Sequence, residues 1–388
     1  MEIAQALLYW FDQHKRRHLP WRQDPTPYHV WVSEIMLQQT RVETVIDYYN
    51  RFMAKLPDIS ALASVGEDEL LKLWEGLGYY SRARNLQKAA LEIVHCHGGE
   101  IPRDRADLLA LPGIGPYTAG AIRSIAFQEA DIAADGNAYR IAARLTMEEG
   151  LVDKPQTRKN LEAYLKNQLS VERPGDFNQA LMDLGSGICL ANGTPLCDSC
   201  PLFAACQAGR AGLGSAYPKR EKKKKKGLEQ LTVLVLRRGT DLFLAKRPKG
   251  GLLAGLWALP MWSGHLSQKE VEERLARMLP STPYRLKSVR ALGHARHLFT
   301  HKEWQMVGYE ILLCESTDSQ YSTGKEARRS SDSFFLKEKG FVEERLSDFY
   351  AALGFPSDPA SHFTWAPPEQ VQENLAIPTA YQAFLREA

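Results

Sequence analysis

The hydrophobic pattern of this chain changes period once, and the change falls at a run of five lysines, Lys222 to Lys226. Before it, apolar residues recur every three or four positions, as in Val32, Ile35, Met36, Val42, Val45, Ile46, Tyr49 and Phe52. That spacing marks one face of a helix. The pattern returns at 59–75, 82–97, 104–111, 117–127, 137–146, 157–170 and 176–188, with short polar or Gly/Pro turns between. Residues 1–186 are therefore expected to form an α-helical bundle with short connections. After the lysines, Leu231–Leu236 and Leu242–Ala245 read as strands joined by a turn, 268–279 as a helix and 304–314 as a further strand. A second, α/β-type domain is expected over 229–388, with a polar, irregular stretch at 315–362. The stretch 211–228 reads as a solvated basic linker, because like charges at that density repel.

The 388 residues allow two to three domains. A chain that is 44% hydrophobic and 24% charged is neither mainly disordered nor collagen-like. No apolar run approaches the ~18 residues of a membrane helix. The N-terminus has no basic start or small-residue cleavage site, so it does not read as a signal peptide, and a cytoplasmic protein is expected. The net charge of +3 divides into −4 over 1–210, +6 over 211–228 and +1 over 229–388. Bulk charge gives no argument for nucleic-acid binding, which must rest on local sites.

Six cysteines stand at 96, 189, 197, 200, 206 and 314, and four of them fall together as Cys-x7-Cys-x2-Cys-x5-Cys. Four thiolates at that spacing suit a tetrahedral zinc or a 4Fe–4S cluster. Zinc ribbons use two Cys-x2-Cys pairs, and the single pair here favours iron–sulfur. Cys96 and Cys314 read as ordinary buried thiols.

Three short segments carry further chemistry. In Leu111-Pro112-Gly113-Ile114-Gly115, two glycines before a helix offer backbone N–H groups to a phosphate without a basic side chain. A plain corner between helices fits the same residues. Asp135-Gly136-Asn137 precedes an amphipathic helix and could be only an N-cap or Asx turn. Glu34 lies among apolar neighbours, where a carboxylate must be paired or kept protonated. A raised pKa would suit a general acid; a solvent-facing helix position is the competing reading.

Together these segments resemble the helix-hairpin-helix DNA glycosylases of base excision repair, and within them the MutY family of adenine DNA glycosylases. The matching motifs are Leu19-Pro20-Trp21-Arg22, Ser-Glu-x-Met-Leu-Gln-Gln-Thr at 33–40 and Gly-Leu-Gly-Tyr-Tyr-Ser-Arg-Ala at 76–83. To these are added Leu-Pro-Gly-Ile-Gly-Pro-Tyr-Thr-Ala at 111–119, Asp-Gly-Asn at 135–137 and Phe-Asn-Gln-Ala at 177–180. The resemblance implies an all-α helix-hairpin-helix glycosylase domain over 1–210, with the hairpin at about 105–125. It implies a 4Fe–4S loop at 189–206, held by Cys189, Cys197, Cys200 and Cys206. The family has six residues between the first two cysteines, and here there are seven. Over 229–388 it implies an α/β Nudix-like domain for recognising 8-oxoguanine. Gly255-Leu256-Trp257-Ala258-Leu259-Pro260 fits that fold, but Glu270-Val271-Glu272-Glu273-Arg274-Leu275 lacks the Arg-Glu-x-x-Glu-Glu pattern of Nudix pyrophosphatases. The family's Phe-Ser-His turn appears as Phe299-Thr300-His301, which keeps the hydroxyl and adds a methyl.

The implied activity is removal of adenine opposite 8-oxoguanine or guanine in duplex DNA, by a monomer, in the cytoplasm and on the nucleoid. The implied roles are Glu34 as general acid, Asp135 as oxocarbenium stabiliser, and Tyr117 and Asn137 as groups that orient them. Gln39, Leu77 and Tyr79 would contact or wedge the duplex, and Gly113 and Gly115 would hold a phosphate. Arg22 and Gln179 would read the adenine edge, and Phe299, Thr300 and His301 the lesion. Bifunctional relatives carry a lysine where this chain has Tyr117, so the resemblance implies a monofunctional enzyme. The competing activity is an endonuclease III-like glycosylase/lyase acting on oxidised pyrimidines.

Overall fold

The computed structural model describes residues 2–221, 226–315, 347–355 and 362–387. The chain forms two compact units: Met1–Glu67 with Tyr79–Lys223, and Asp68–Gly78 with Lys224–Ala388.

The first unit is helical. In chain order it holds α1 (Ile3–His14), α2 (Pro20–Gln23), α3 (Pro27–Leu37), α4 (Val42–Lys55) and α5 (Ile59–Ser64). After α6 (Glu67–Leu73), most of which groups with the second unit, it continues with α7 (Ser81–Cys96), α8 (Arg105–Ala110) and α9 (Pro116–Ala121). It then holds α10 (Gly136–Thr146), α11 (Pro155–Gln168) and α12 (Pro174–Gly187). Pro at the first position starts α3, α9, α11 and α12, where its fixed φ fits and no N–H is missed. One core gathers Phe11 of α1, Ile141 and Leu145 of α10, Leu161 and Leu165 of α11, and Phe177 and Leu181 of α12. Each such side chain contributes about 1.5–3 kcal/mol by leaving water.

Two expected helices differ in detail. The segment 59–75 breaks into α5 and α6 at Val65-Gly66. The segment 117–127 is α-helical only to Ala121 and continues as one π-helical turn, Ile122–Ala126. Among the described residues no helix is long and apolar enough to cross a membrane.

The second unit is built on a seven-stranded sheet: β1 (Gly227–Arg238), β2 (Asp241–Lys246), β3 (Trp257–Ala258), β4 (Met261–Ser263), β5 (Tyr284–Leu298), β6 (Lys302–Glu315) and β7 (Phe363–Ala366). The path runs β3-β2-β1-β6-β5, with β4 on β1 and β7 on β2. Among the described residues only β1 and β6 pair in parallel, from Gly227↔Lys302 to Arg238↔Leu313. Leu234 and Leu236 point into a core with Val271 and Leu275 of α13 (Gln268–Met278). Val233 and Val235 point into the opposite core with Tyr381 and Phe384. Both faces are covered, which is why β1 reads as a continuous apolar run.

Several expectations change. β5, the longest strand, carries no regular alternation, because register shifts at Leu286/Ser288 and Ala291/Gly293 break its period. Cys96 and Cys314 are exposed rather than buried, since each sits near the end of its element, α7 and β6. The basic stretch is not wholly a solvated linker. Tyr217 is buried, Arg144 Nε donates to its carbonyl at 2.9 Å, and Val152 N–H donates to Lys219 O at 2.9 Å. Gly227 and Leu228 already belong to β1. Lys222–Lys225 and most of the polar stretch 315–362 lie outside the described residues.

Candidate active site

The first unit contains a cleft of about 760 Å³ that is lined by Arg22, Glu34, Gln39, Tyr117, Asp135, Asn137 and Gln179, among others. These seven come from six separate stretches of chain, and all were expected in the site from the sequence. The volume falls within the ~300–1,000 Å³ usual for ligand sites.

Glu34 lies in α3, whose N-cap Thr26 accepts a bond from His29 N–H at 3.2 Å. Every residue from Val30 to Met36 is buried, and Glu34 is 5% exposed. The reading of a solvent-facing position is therefore wrong. Burial pushes its pKa up to about 7, the charge of Asp135 adds to the rise, and the Tyr117 hydrogen bond and Arg22 charge oppose it. Tyr117 donates its hydroxyl to Glu34 Oε2. Burial and the two acids hold the Tyr117 pKa well above its ordinary value, so it remains a neutral donor.

Asp135 is the N-cap of α10, so the capping reading holds together with the site. One carboxylate oxygen accepts from Ala138 N–H at 2.8 Å, and the other accepts from the Asn137 amide at 2.8 Å. Burial raises its pKa, against the pull of these donors and the Arg140 charge. The two acids thus differ in setting: Glu34 has one phenolic donor, whereas Asp135 sits in a cradle built for the anion. Asn137 is fixed in turn. Arg140 donates to its Oδ1 at 2.8 Å, and a Cβ on Gly185 would lie 2.4 Å from the Asn137 Cβ.

Arg22 also lines the cleft, but its fork is engaged: it donates to both oxygens of Asp183, at 2.7 and 2.9 Å. Gln179 stands one turn earlier on the same helix, α12. Gln39 and Tyr79 are both exposed and both have positive φ, 59° and 47°. Leu77 is buried, so its side chain is not a surface group. Gly113, at φ 79°, turns the chain between α8 and α9, and a Cβ there would meet Asn85 at 2.8 Å. Gly115 is the N-cap of α9 with open space at its Cβ position.

Cys189, Cys197, Cys200 and Cys206 line a single small cavity of about 30 Å³ together with Arg144. The Arg144 guanidinium donates to Cys189 Sγ at 3.1 Å, and Gly209 N–H to Cys206 Sγ at 3.3 Å. Among the described residues no three His, Cys, Asp or Glu side chains converge on one ion-sized point. In the second unit, Phe299, Thr300 and His301 form the turn between β5 and β6, closed by Phe299 N–H to Lys302 O at 2.8 Å. Thr300 and His301 are exposed there, while the Phe299 ring packs edge-on against Trp304.

Residues 32–167 match the HhH-GPD superfamily base excision DNA repair protein family, and 232–387 match the NUDIX domain. The adenine DNA glycosylase of Rattus norvegicus is 35% identical over 366 residues, covering 79% of this chain and 70% of the relative. That of Buchnera aphidicola (subsp. Baizongia pistaciae) is 33% identical over 300 residues, covering 76% and 82%. This chain belongs to the adenine DNA glycosylases. Among solved structures, a thermostable thymine-DNA glycosylase superposes with a TM-score of 0.50 at 27% identity, covering 54% of this chain and 95% of that one. That structural match therefore concerns about half of this chain.

Sequence reasoning missed several site residues. Asp183 pairs with Arg22 and also lies 3.7 Å from Arg16. Its signal was the four-residue step from Gln179 on one helix face. Arg140 and Arg144 were hidden because their partners, Asn137, Cys189 and Tyr217, are partly remote in sequence. Asn178 is fully buried and accepts from Ala133 N–H at 3.0 Å while donating to Ser124 Oγ at 2.8 Å and Asp131 O at 2.9 Å. It lies in the Phe-Asn-Gln-Ala motif at 177–180, but nothing in the motif showed that its side chain is buried between these partners.

Proposed function

We propose that this adenine DNA glycosylase is monofunctional and hydrolyses the N-glycosidic bond of adenine paired with 8-oxoguanine or guanine in duplex DNA. The observation that carries the proposal is that Glu34 and Asp135 line one nucleotide-sized cleft, Glu34 accepting from a single phenol and Asp135 from a backbone N–H and an amide. The adenine leaves the stack at a cost of a few kcal/mol, which mispairing reduces. Glu34, protonated near neutral pH, gives its proton to N7 and converts a poor leaving group into a better one. The C1′–N9 electron pair leaves with the base, and positive charge develops on the sugar. Asp135, held as an anion, faces that charge. Water adds to C1′, and the deprotonated Glu34 takes up the proton that water loses. Tyr117 and Asn137 hold the two acids in place, and Gln39, which lines the cleft, and the exposed Tyr79 enter the duplex.

A lyase would need an amine at the position of Tyr117. That side chain is a phenol, already donated to Glu34. We assign Cys189, Cys197, Cys200 and Cys206 to a 4Fe–4S cluster. Four thiols around one cavity, with N–H donors on two of the sulfurs, fit that group. When bound, the cluster cross-links the loop at 189–206. The Phe299-Thr300-His301 turn is proposed to read the lesion. Glu270 is committed to a capping box with Ser267, so α13 offers no pyrophosphatase carboxylate there. The proposed setting is a monomer in the cytoplasm, on nucleoid DNA.

The test uses four duplexes: adenine opposite 8-oxoguanine, guanine or thymine, and thymine glycol. Strand cleavage only after alkali, and only on the first two, supports the proposal. Cleavage of thymine glycol, or a DNA adduct trapped by borohydride, supports the lyase instead.

A further inference from the structure

Arg82 opens α7 and is 9% exposed. A buried guanidinium is costly unless its donors are used. Its Nη1 donates to the carbonyls of Ile35, Met36 and Gln38 at 2.6, 3.0 and 2.7 Å, and Nη2 reaches the Thr40 hydroxyl at 3.4 Å. Ile35 and Met36 lie in the last turn of α3, where carbonyls have no partner within the helix, and Gln38 is its C-cap. The guanidinium also lies 5.6 Å from the centre of the Tyr79 ring. Burial lowers its pKa to about 10, so it remains charged at neutral pH.

These contacts flank two uncommon backbone positions. Gln39 lies between Gln38, whose carbonyl Arg82 holds, and Thr40, whose hydroxyl it reaches. Tyr79 lies three residues before Arg82 and beneath its guanidinium. Both have left-handed φ without being glycine, a state that persists only where the surroundings fix it. Gln39 lines the cleft that holds Glu34, and Tyr79 is 45% exposed although aromatic.

We infer that Arg82 is a positioning residue: one buried guanidinium locks Gln39 and Tyr79 into the conformations in which they enter the duplex and displace adenine. The inference rests on the function proposed above. A lysine could not replace it, because a single ammonium on a flexible stem lacks the planar fork that serves the three carbonyls, the hydroxyl and the ring together.

The test compares full-length parent and Arg82→Lys on a duplex with adenine opposite 8-oxoguanine and 2-aminopurine beside the adenine. Single-turnover adenine release and 2-aminopurine fluorescence report chemistry and unstacking. The lysine variant is expected to keep its helical circular dichroism and duplex affinity, to lose most of the unstacking signal, and to release adenine about tenfold to a hundredfold more slowly. In a Gln39→Ala/Tyr79→Ala background the same change is expected to cost nothing further. Release within twofold of the parent, a loss that multiplies in the double-alanine background, or loss of helical signal would each overturn the inference. A parent that releases no adenine would sink the activity itself, and the parent arm tells the two failures apart.

Discussion

In the proposed mechanism the two acids take their roles from their environments. Glu34 is surrounded by apolar side chains and receives one phenolic donor, so burial prevails and the proton stays. Burial raises the pKa of Asp135 as well, but there a backbone N–H and an amide pull towards the charged form. Replacing Asp135 by Asn keeps the size and removes the charge. Adenine release is expected to fall by about 10² or more while duplex affinity stays near the parent value, measured by single-turnover kinetics and fluorescence anisotropy. The Glu34 shift also affects stability. Its folded pKa is raised, so the folded chain binds more protons, and this contribution is present below pH 4.5 and lost as pH rises through about 7. Between pH 5 and 8 the melting temperature of Glu34→Gln is expected to fall less than that of the parent. Glu34 was legible because a carboxylate among apolar neighbours is conspicuous. The Arg22–Asp183 pair was not, since nothing local reveals that a helix 161 positions away presents its partner.

Helix α12 organises more of the site than its composition suggested. It carries Gln179 and Asp183 at the cleft, Gly185 against Asn137, and Asn178 between α12, the π-helical turn and the segment that leads to Asp135. Gly120 lets that segment approach, for a Cβ there would come within 2.2 Å of Ile132 O. Replacing Asn178 by Leu leaves Ala133 N–H, Ser124 Oγ and Asp131 O without this partner. At ~1–3 kcal/mol for a buried unsatisfied group, urea unfolding is expected to show a loss of about 3 kcal/mol or more. Gly185→Ala is expected to displace Asn137 and slow adenine release more than it lowers stability, because the clash falls on a residue that holds Asp135. At this scale the helices were legible from their period, and the amphipathic faces of α4 and α10 made them plain. β5 was not, because its two register shifts interrupt alternation. Nor was the π-helical turn, which leaves the helical period nearly unchanged.

In the molecule as a whole, the change of period at the lysines marks a real change of architecture, from helices to a sheet covered on both faces. The gathering of four cysteines around one cavity was legible in spacing alone, but the docking of Tyr217 and Lys219 was not, because a basic, Gly- and Ser-containing segment looks solvated until its backbone finds partners. Iron and acid-labile sulfide in the purified protein are expected at about four of each per chain, and Cys197→Ser is expected to lower both. Zinc at about one per chain would overturn the cluster assignment. Phe299→Ala is expected to narrow the rate advantage of 8-oxoguanine over guanine opposite the adenine, without abolishing release. The central claim is that one cleft holds a protonated and an ionised carboxyl at the same pH. The most direct test is the pH dependence of single-turnover adenine release for the parent and Glu34→Gln. The parent rate is predicted to fall about tenfold per unit above about pH 7, and the variant to be slower by ~10²–10⁴ with that limb absent. A variant as fast as the parent, or one that keeps the same descending limb, would contradict it.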